Sequence, residues 1–191
     1  MAVSASSAEE LLRLVRNYYP PGIDAHDSSY RDSPQFRALV SARAQGARER
    51  ADSWGGLVRA LGKRHGRDRV FDTTNFNLDS CFAVRVYEAS APKDNAVAAV
   101  LLVSVLTPLH ALYTVLERRV AAKNLPAEVF TVPRKETEAL VSELNREAAE
   151  RLHTTLADWA VLETPVPWAS TVHADFTKAT LADLLFSDDR W

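Results

Sequence analysis

The sequence predicts an α+β fold, in which a meander of about four antiparallel strands from Cys81 to Val132 is covered by N-terminal helices and one long C-terminal helix. Three observations carry that expectation. The run Ala96 to Leu106 is apolar except at Ser104 and is the natural centre of a core. Amphipathic patterns of helical period follow Pro34 and Pro133. Between residues 81 and 132 the turn residues are too closely spaced for helical crossovers, which leaves hairpin connections and an antiparallel sheet.

The central run reads as a strand. Val97, Val100, Val103 and Val105 are β-branched and stiff at χ1, which suits a pleated surface. Turn chemistry at Pro92 to Asn95 and at Thr107-Pro108 bounds the run. It is also far shorter than the roughly 18 to 20 apolar residues a membrane helix needs. With apolar residues at both parities it must be buried on two faces. After Pro108, period two sets His110, Leu112, Thr114 and Leu116 against Leu109, Ala111, Tyr113 and Val115. Cys81 to Glu88 alternates Phe82, Val84 and Val86 against Cys81, Ala83, Arg85 and Tyr87. Glu128 to Val132 supplies the fourth strand, after a turn at Asn124, Leu125 and Pro126.

Ser7 and Glu10 fit a capping box that opens a helix running to about Tyr18, where Pro20-Pro21-Gly22 stops it. Ile23 to Asp32 reads as a loop holding Asp24, His26, Asp27 and Tyr30. Ser33-Pro34 starts a long helix with the stripe Phe36, Val40, Ala47, Ala51, Trp54, Val58 and Leu61. Gly46, Gly55 and Gly56 each weaken it by about 1 kcal/mol relative to alanine, so a kink or split near Gly55 is expected. The alanines make the N-terminal helix its expected packing partner. Gly66 ends it, and Asp68 to Asp79 carries a short strand or an ordered loop. The last long helix is expected from Pro133 to about Trp159, burying Val141, Leu144, Ala148, Leu152, Leu156 and Trp159. Thr180 and Asp183 fit the capping box of a final helical turn.

The chain of 191 residues is most simply one domain, residues 1–191, with 47% apolar and 25% charged residues and a single cysteine. It can form no internal disulfide, and its first residues lack the basic and apolar regions of a signal peptide, so a cytoplasmic location is expected. Net charge is only −2, but it is unevenly spread. Residues 31–70 carry ten Lys or Arg against four acids, and residues 134–191 carry eleven acids against six bases. The simplest outcome is that the two regions neutralise each other within the molecule. Nucleic-acid binding is disfavoured in a slightly acidic chain without interleaved aromatic or glycine motifs.

Cys81 with His110 and Asp72 or Asp79 is the only set that could imitate a nucleophile, base and orienter. Against it, a cysteine in an apolar strand is usually a small buried hydrophobe. The histidines, at 26, 65, 110, 153 and 173, show no metal-ligand spacing, and no cofactor is expected. The recognition candidates are the aromatic turn at Tyr18 and Tyr19, the His26 loop, and an acidic patch. That patch would join Glu136, Glu143, Glu147 and Glu150 to Asp183, Asp188 and Asp189, and could meet a basic cleft on a partner. Each has a plainer reading: rings that lock the first helix to the core, a solvated loop, a solvated helix face.

A YYPPGI turn after a first helix, a Tyr30 segment leading into a long helix with Trp54, the meander around VSVLTPLHALYTV and the closing TLADLLFSDDRW resemble small cytoplasmic immunity proteins of bacterial polymorphic toxin systems. The resemblance implies a protein that inhibits a cognate toxin by binding it, with no chemistry of its own, and assigns no functional residues. Two readings stand: a non-catalytic module whose partner is another protein, or a small enzyme with a pocket lined by His110, Tyr113, Tyr87 and Cys81.

Overall fold

The computed structural model describes residues 7–89, 95–120, 123–124 and 126–187. Its helices are α1 (Ala8–Val15), α2 (Ser28–Asp32), α3 (Pro34–His65), α4 (Glu138–Leu152), α5 (Trp159–Leu162) and α6 (Leu181–Leu185). Its strands are β1 (Val70–Asp72), β2 (Cys81–Tyr87), β3 (Asn95–Ser104), β4 (Leu109–Val120), β5 (Lys123–Asn124), β6 (Glu128–Phe130) and β7 (Thr155–Leu156). The architecture is α+β, and β1 to β5 pair in chain order. The sheet is mixed and has seven strands rather than four, because β6 and β7 also pair with β4 and β7 does so in parallel. Three short strands in series thus cover the free edge of β4, which would otherwise present unpaired backbone groups.

β3 is buried on both faces, from Val97 to Ser104, as its unbroken apolar run requires. One face carries Val84, Leu101 and Leu112 and packs under Trp54, Leu57 and Leu61 of α3 and Leu140 and Leu144 of α4. The opposite face carries Cys81, Val100, Leu102 and Tyr113. It packs under α1, α6 and Leu39 from the N-terminal half of α3. Burying each such aliphatic side chain contributes roughly 1.5–3 kcal/mol, so these two clusters hold the layers together.

α3 is one unbroken helix of 32 residues with Ser33 as its cap, Pro34 in its first turn and Gly66 after its end. The split expected at Gly55 does not occur. The expected stripe is also rotated: Val40 and Ala51 are exposed, and the buried set is Leu39, Gly46, Trp54, Leu57, Leu61 and Gly62. Arg43 and Arg50 fall on this inner face, where each donates to a strand-end or loop carbonyl, Leu78 O at 2.6 Å and Ser104 O at 2.8 Å. Two arginines therefore occupy positions that an apolar pattern assigns to solvent. α3 packs against α4, while the principal helical partner of α1 is α6. The helix passes from one core to the other at Gly46, whose missing side chain makes room for Val105.

Two other boundaries differ. The polar stretch before Ser33 contains α2, because Asp27 caps it by accepting from Ser29 N at 2.8 Å. α4 ends at Leu152 rather than near Trp159, because His153 adopts a left-handed conformation with φ 54°. The chain then turns back as β7, leaving Leu156 43% exposed, and Asp158 caps a separate α5.

Candidate functional site

Two segments distant in sequence are laced together beside α3. Gly22, at φ 73°, takes the left-handed turn for which glycine has no steric cost, and its N–H donates to Trp168 O at 2.8 Å. Ala25 N donates to Ser170 Oγ at 2.8 Å, and a His26 ring nitrogen lies 3.2 Å from Val172 O. The corner between α2 and α3 is held by Ser33, which donates to Tyr30 O and accepts from Phe36 N. Tyr30 is buried and its ring sits 5.4 Å from that of Phe36.

Between these parts lies a groove of about 150 Å³. Tyr30, Arg31, Phe36 and Arg43 line one side, Asn77 and Leu78 a second, and Thr171 and Val172 a third, with Tyr19 and Asp183 also in its lining. The buried Ser80 ties the surroundings together: Arg43 donates to its Oγ, Tyr19 Oη lies 3.2 Å from it, and its backbone N–H donates to Phe186 O. Leu78 and Val172 are 42% and 44% exposed, so two apolar side chains meet solvent beside two arginines and a tyrosine. This is recognition chemistry, an apolar contact surface with planar, donor-rich side chains at its edge.

The fold thus brings together Tyr19, Asp183 and the His26 loop. Tyr19 is only 3% exposed and donates to Leu184 O at 2.6 Å, so it locks the first helix to the core. Tyr18 is half-buried against the same core. Asp183 is no surface acid: it is buried and closes the Thr180 capping box, accepting from Thr180 N and Oγ1 at 2.7 Å. Arg43, Leu78 and Val172 were not singled out in the sequence. Arg43 falls three to four residues from Leu39 and Gly46 on one helical face, but a charged residue there reads as solvent-facing in an apolar pattern.

The expected acidic face is dispersed. Glu143 pairs with Arg64 and His65, and the buried Glu147 pairs with Arg64 and Arg151. Burial opposes ionisation of both carboxyls, but the hydrogen bonds from these partners and the arginine charges outweigh it and hold both below the usual carboxylate range. Here the basic and acidic halves of the chain neutralise each other internally. Glu136 pairs with Arg134 at 3.5 Å, Glu150 is exposed, and Asp188 and Asp189 lie outside the described residues.

The pocket of the enzyme reading does not form. Register places Cys81, opposite Ser104, on the same face as Ala83, Tyr87 and Tyr113, whereas His110, opposite Val103, points to the other face. Both groups are also unsuited to chemistry. Burial pushes the Cys81 thiol well above its usual range, and Asp79 adds to the effect. His110 is buried, with its ring nitrogens 2.9 Å from Thr154 Oγ1 and 2.8 Å from Asn145 Oδ1. No cluster able to hold a metal occurs among the described residues. Compared with family models, with curated proteins and with solved structures, the chain matches none. No helix among the described residues is long and apolar enough to cross a membrane.

Burial holds the pKa of His110 below 6.5, only partly offset by its bond to Asn145. The unfolded chain therefore takes up this proton first as pH falls, and stability drops on acidification below about pH 6.5. Urea unfolding at pH 7 and pH 5.5 tests this: His110→Gln should narrow the difference between the two midpoints, and an unchanged difference would exclude His110 as its source.

Proposed function

We propose that the protein is a non-catalytic protein-binding module, an immunity-type inhibitor that neutralises a cognate toxin in the cytoplasm by occupying it. One observation carries the reading. The groove beside α3 sets exposed Leu78 and Val172 among Tyr30, Arg31 and Arg43, side chains that dominate binding energy at protein interfaces when an apolar centre is ringed by polar groups. The family resemblance in the sequence adds the class of partner. In this proposal a partner segment lies in the groove, its apolar side chains between Leu78 and Val172 and its acids or carbonyls on the arginines.

The test starts from capture of the partner from the native host, followed by its expression alone and together with this protein. A toxin partner arrests growth alone and is silenced by co-expression. Leu78→Asp with Val172→Asp alters exposed positions only, and should weaken the complex by about 2 kcal/mol or more and abolish protection while the thermal midpoint holds. Loss of protection in Cys81→Ser with binding intact would favour chemistry over binding and remove this reading.

A further inference from the structure

The C-terminal half of α3 has two charged sides with different fates. Arg64 is neutralised by Glu143 and Glu147 of α4, and His65 hydrogen-bonds to the same Glu143. Arg59 and Lys63, one helical turn apart, and Arg67 just past the helix end are all exposed, and none has an ion-pair partner among the described residues. These three cations line a slot of about 200 Å³ together with Val58, Val70 and Gly62. Val58 and Val70 are half-buried, and Gly62 is buried. Gly62 helps keep the slot open: a Cβ there would stand 3.6 Å from Arg67 Cγ, so anything longer than alanine would enter it.

Three like charges lining one slot repel one another, and at ionic strengths near 0.15 M screening over about 8 Å only partly relieves this. An anion would relieve it directly. A bare phosphate is poorly matched. The slot is at the carbonyl end of α3, where the helix dipole is negative and the free backbone N–H groups of a phosphate cradle are missing. The valines call instead for an apolar group. We propose that this slot binds an acidic protein segment carrying one large apolar side chain, which enters beside Val58 and Val70 while flanking carboxylates pair with Arg59, Lys63 and Arg67. The slot lies roughly 25 Å along α3 from Arg43, at 1.5 Å per residue, so it is a second surface and does not depend on the groove.

A random dodecapeptide library displayed on phage, panned against the full-length protein, tests the assignment. Enriched peptides should carry at least two acids flanking a leucine, phenylalanine or tryptophan. Their binding should fall about tenfold or more in the double variant Arg59→Glu, Lys63→Glu, and fall again as salt is raised. Gly62→Leu leaves every charge in place but fills the slot, and it should weaken binding to a similar degree; thermal melts check that it folds. If it does not, Val58→Glu on the half-buried wall is measured instead. Leu78→Asp in the groove should leave this binding unchanged. The proposal fails if no acidic-apolar motif is enriched, or if the filled slot binds as well as the open one. It also fails if inorganic phosphate or a short single-stranded oligonucleotide displaces the peptide at equal concentration, which would assign the cations to phosphate.

Discussion

Tyr19→Ala is expected to destabilise the protein by about 3–5 kcal/mol, the range for removing a large aromatic side chain from a packed core. The ring is only 3% exposed within the core cluster that joins α1 to α6. Its hydroxyl donates to Leu184 O at 2.6 Å, a carbonyl in the last turn of α6, and lies beside Ser80 Oγ. Truncation therefore leaves both a cavity and a buried carbonyl short of a partner. Tyr19→Phe isolates the second effect and should cost only about 1 kcal/mol. For a domain of this size each kcal/mol moves the thermal midpoint by about 2–4 °C, so the alanine variant should melt on the order of 10 °C lower. The measurement also separates the two readings of the Tyr18-Tyr19 turn. A surface contact residue would leave the melting curve in place and change only partner binding.

Two glycines in one helix should respond to the same substitution with opposite signs. A Cβ at Gly46 would stand 2.6 Å from Val105 Cβ and 2.9 Å from its Cγ1. Neither is the free end of a flexible chain, since Val105 leads out of β3 and its backbone N–H donates to Ser80 O. Gly46→Ala must push α3 off the sheet and should cost about 1–3 kcal/mol, as overpacking does. At Gly56 nothing lies within 4 Å of the added atom. Gly56→Ala removes backbone freedom from the unfolded chain at no steric cost and should stabilise by up to about 1 kcal/mol. Chemical denaturation of the pair, at matched m-values, checks both. If Gly46→Ala proved neutral, the close approach of α3 to Val105 would be wrong.

The faces of the strands were legible in the sequence because period two is a property of the strand alone. His110 with Leu112 and Thr114, against Ala111 and Tyr113, is a statement needing no partner strand. What joins Cys81 to Tyr113, and so sets it apart from His110, is register, set by where β3 ends and by the four-residue connection from Val105 to Pro108, and no local pattern encodes it. α3 departs from its apolar pattern for a different reason. Its alanines and Val40 look apolar, yet Arg43 and Arg50 hold the inward positions, because loop and strand-end carbonyls at the rim of the sheet accept their guanidinium protons. The groove was illegible as a unit. Its sides come from residues 19–43, 77–78, 171–172 and 183, and only Tyr19, Asp183 and the His26 loop had any individual mark.

The passage of α3 across the end of the sheet has a consequence for cooperativity. Leu39 belongs to one core, and Trp54, Leu57 and Leu61 belong to the other, while an unbroken ladder of backbone hydrogen bonds runs between them. One core cannot melt alone without stripping half of that helix of its packing, and a helix segment of some fifteen residues is marginal in water by itself. The two layers of side chains are separated by a sheet, yet they share one spine, so local openings on either side raise the free energy of the other. Amide exchange in α6 and in α4 should therefore report the same slow global opening rather than two independent ones.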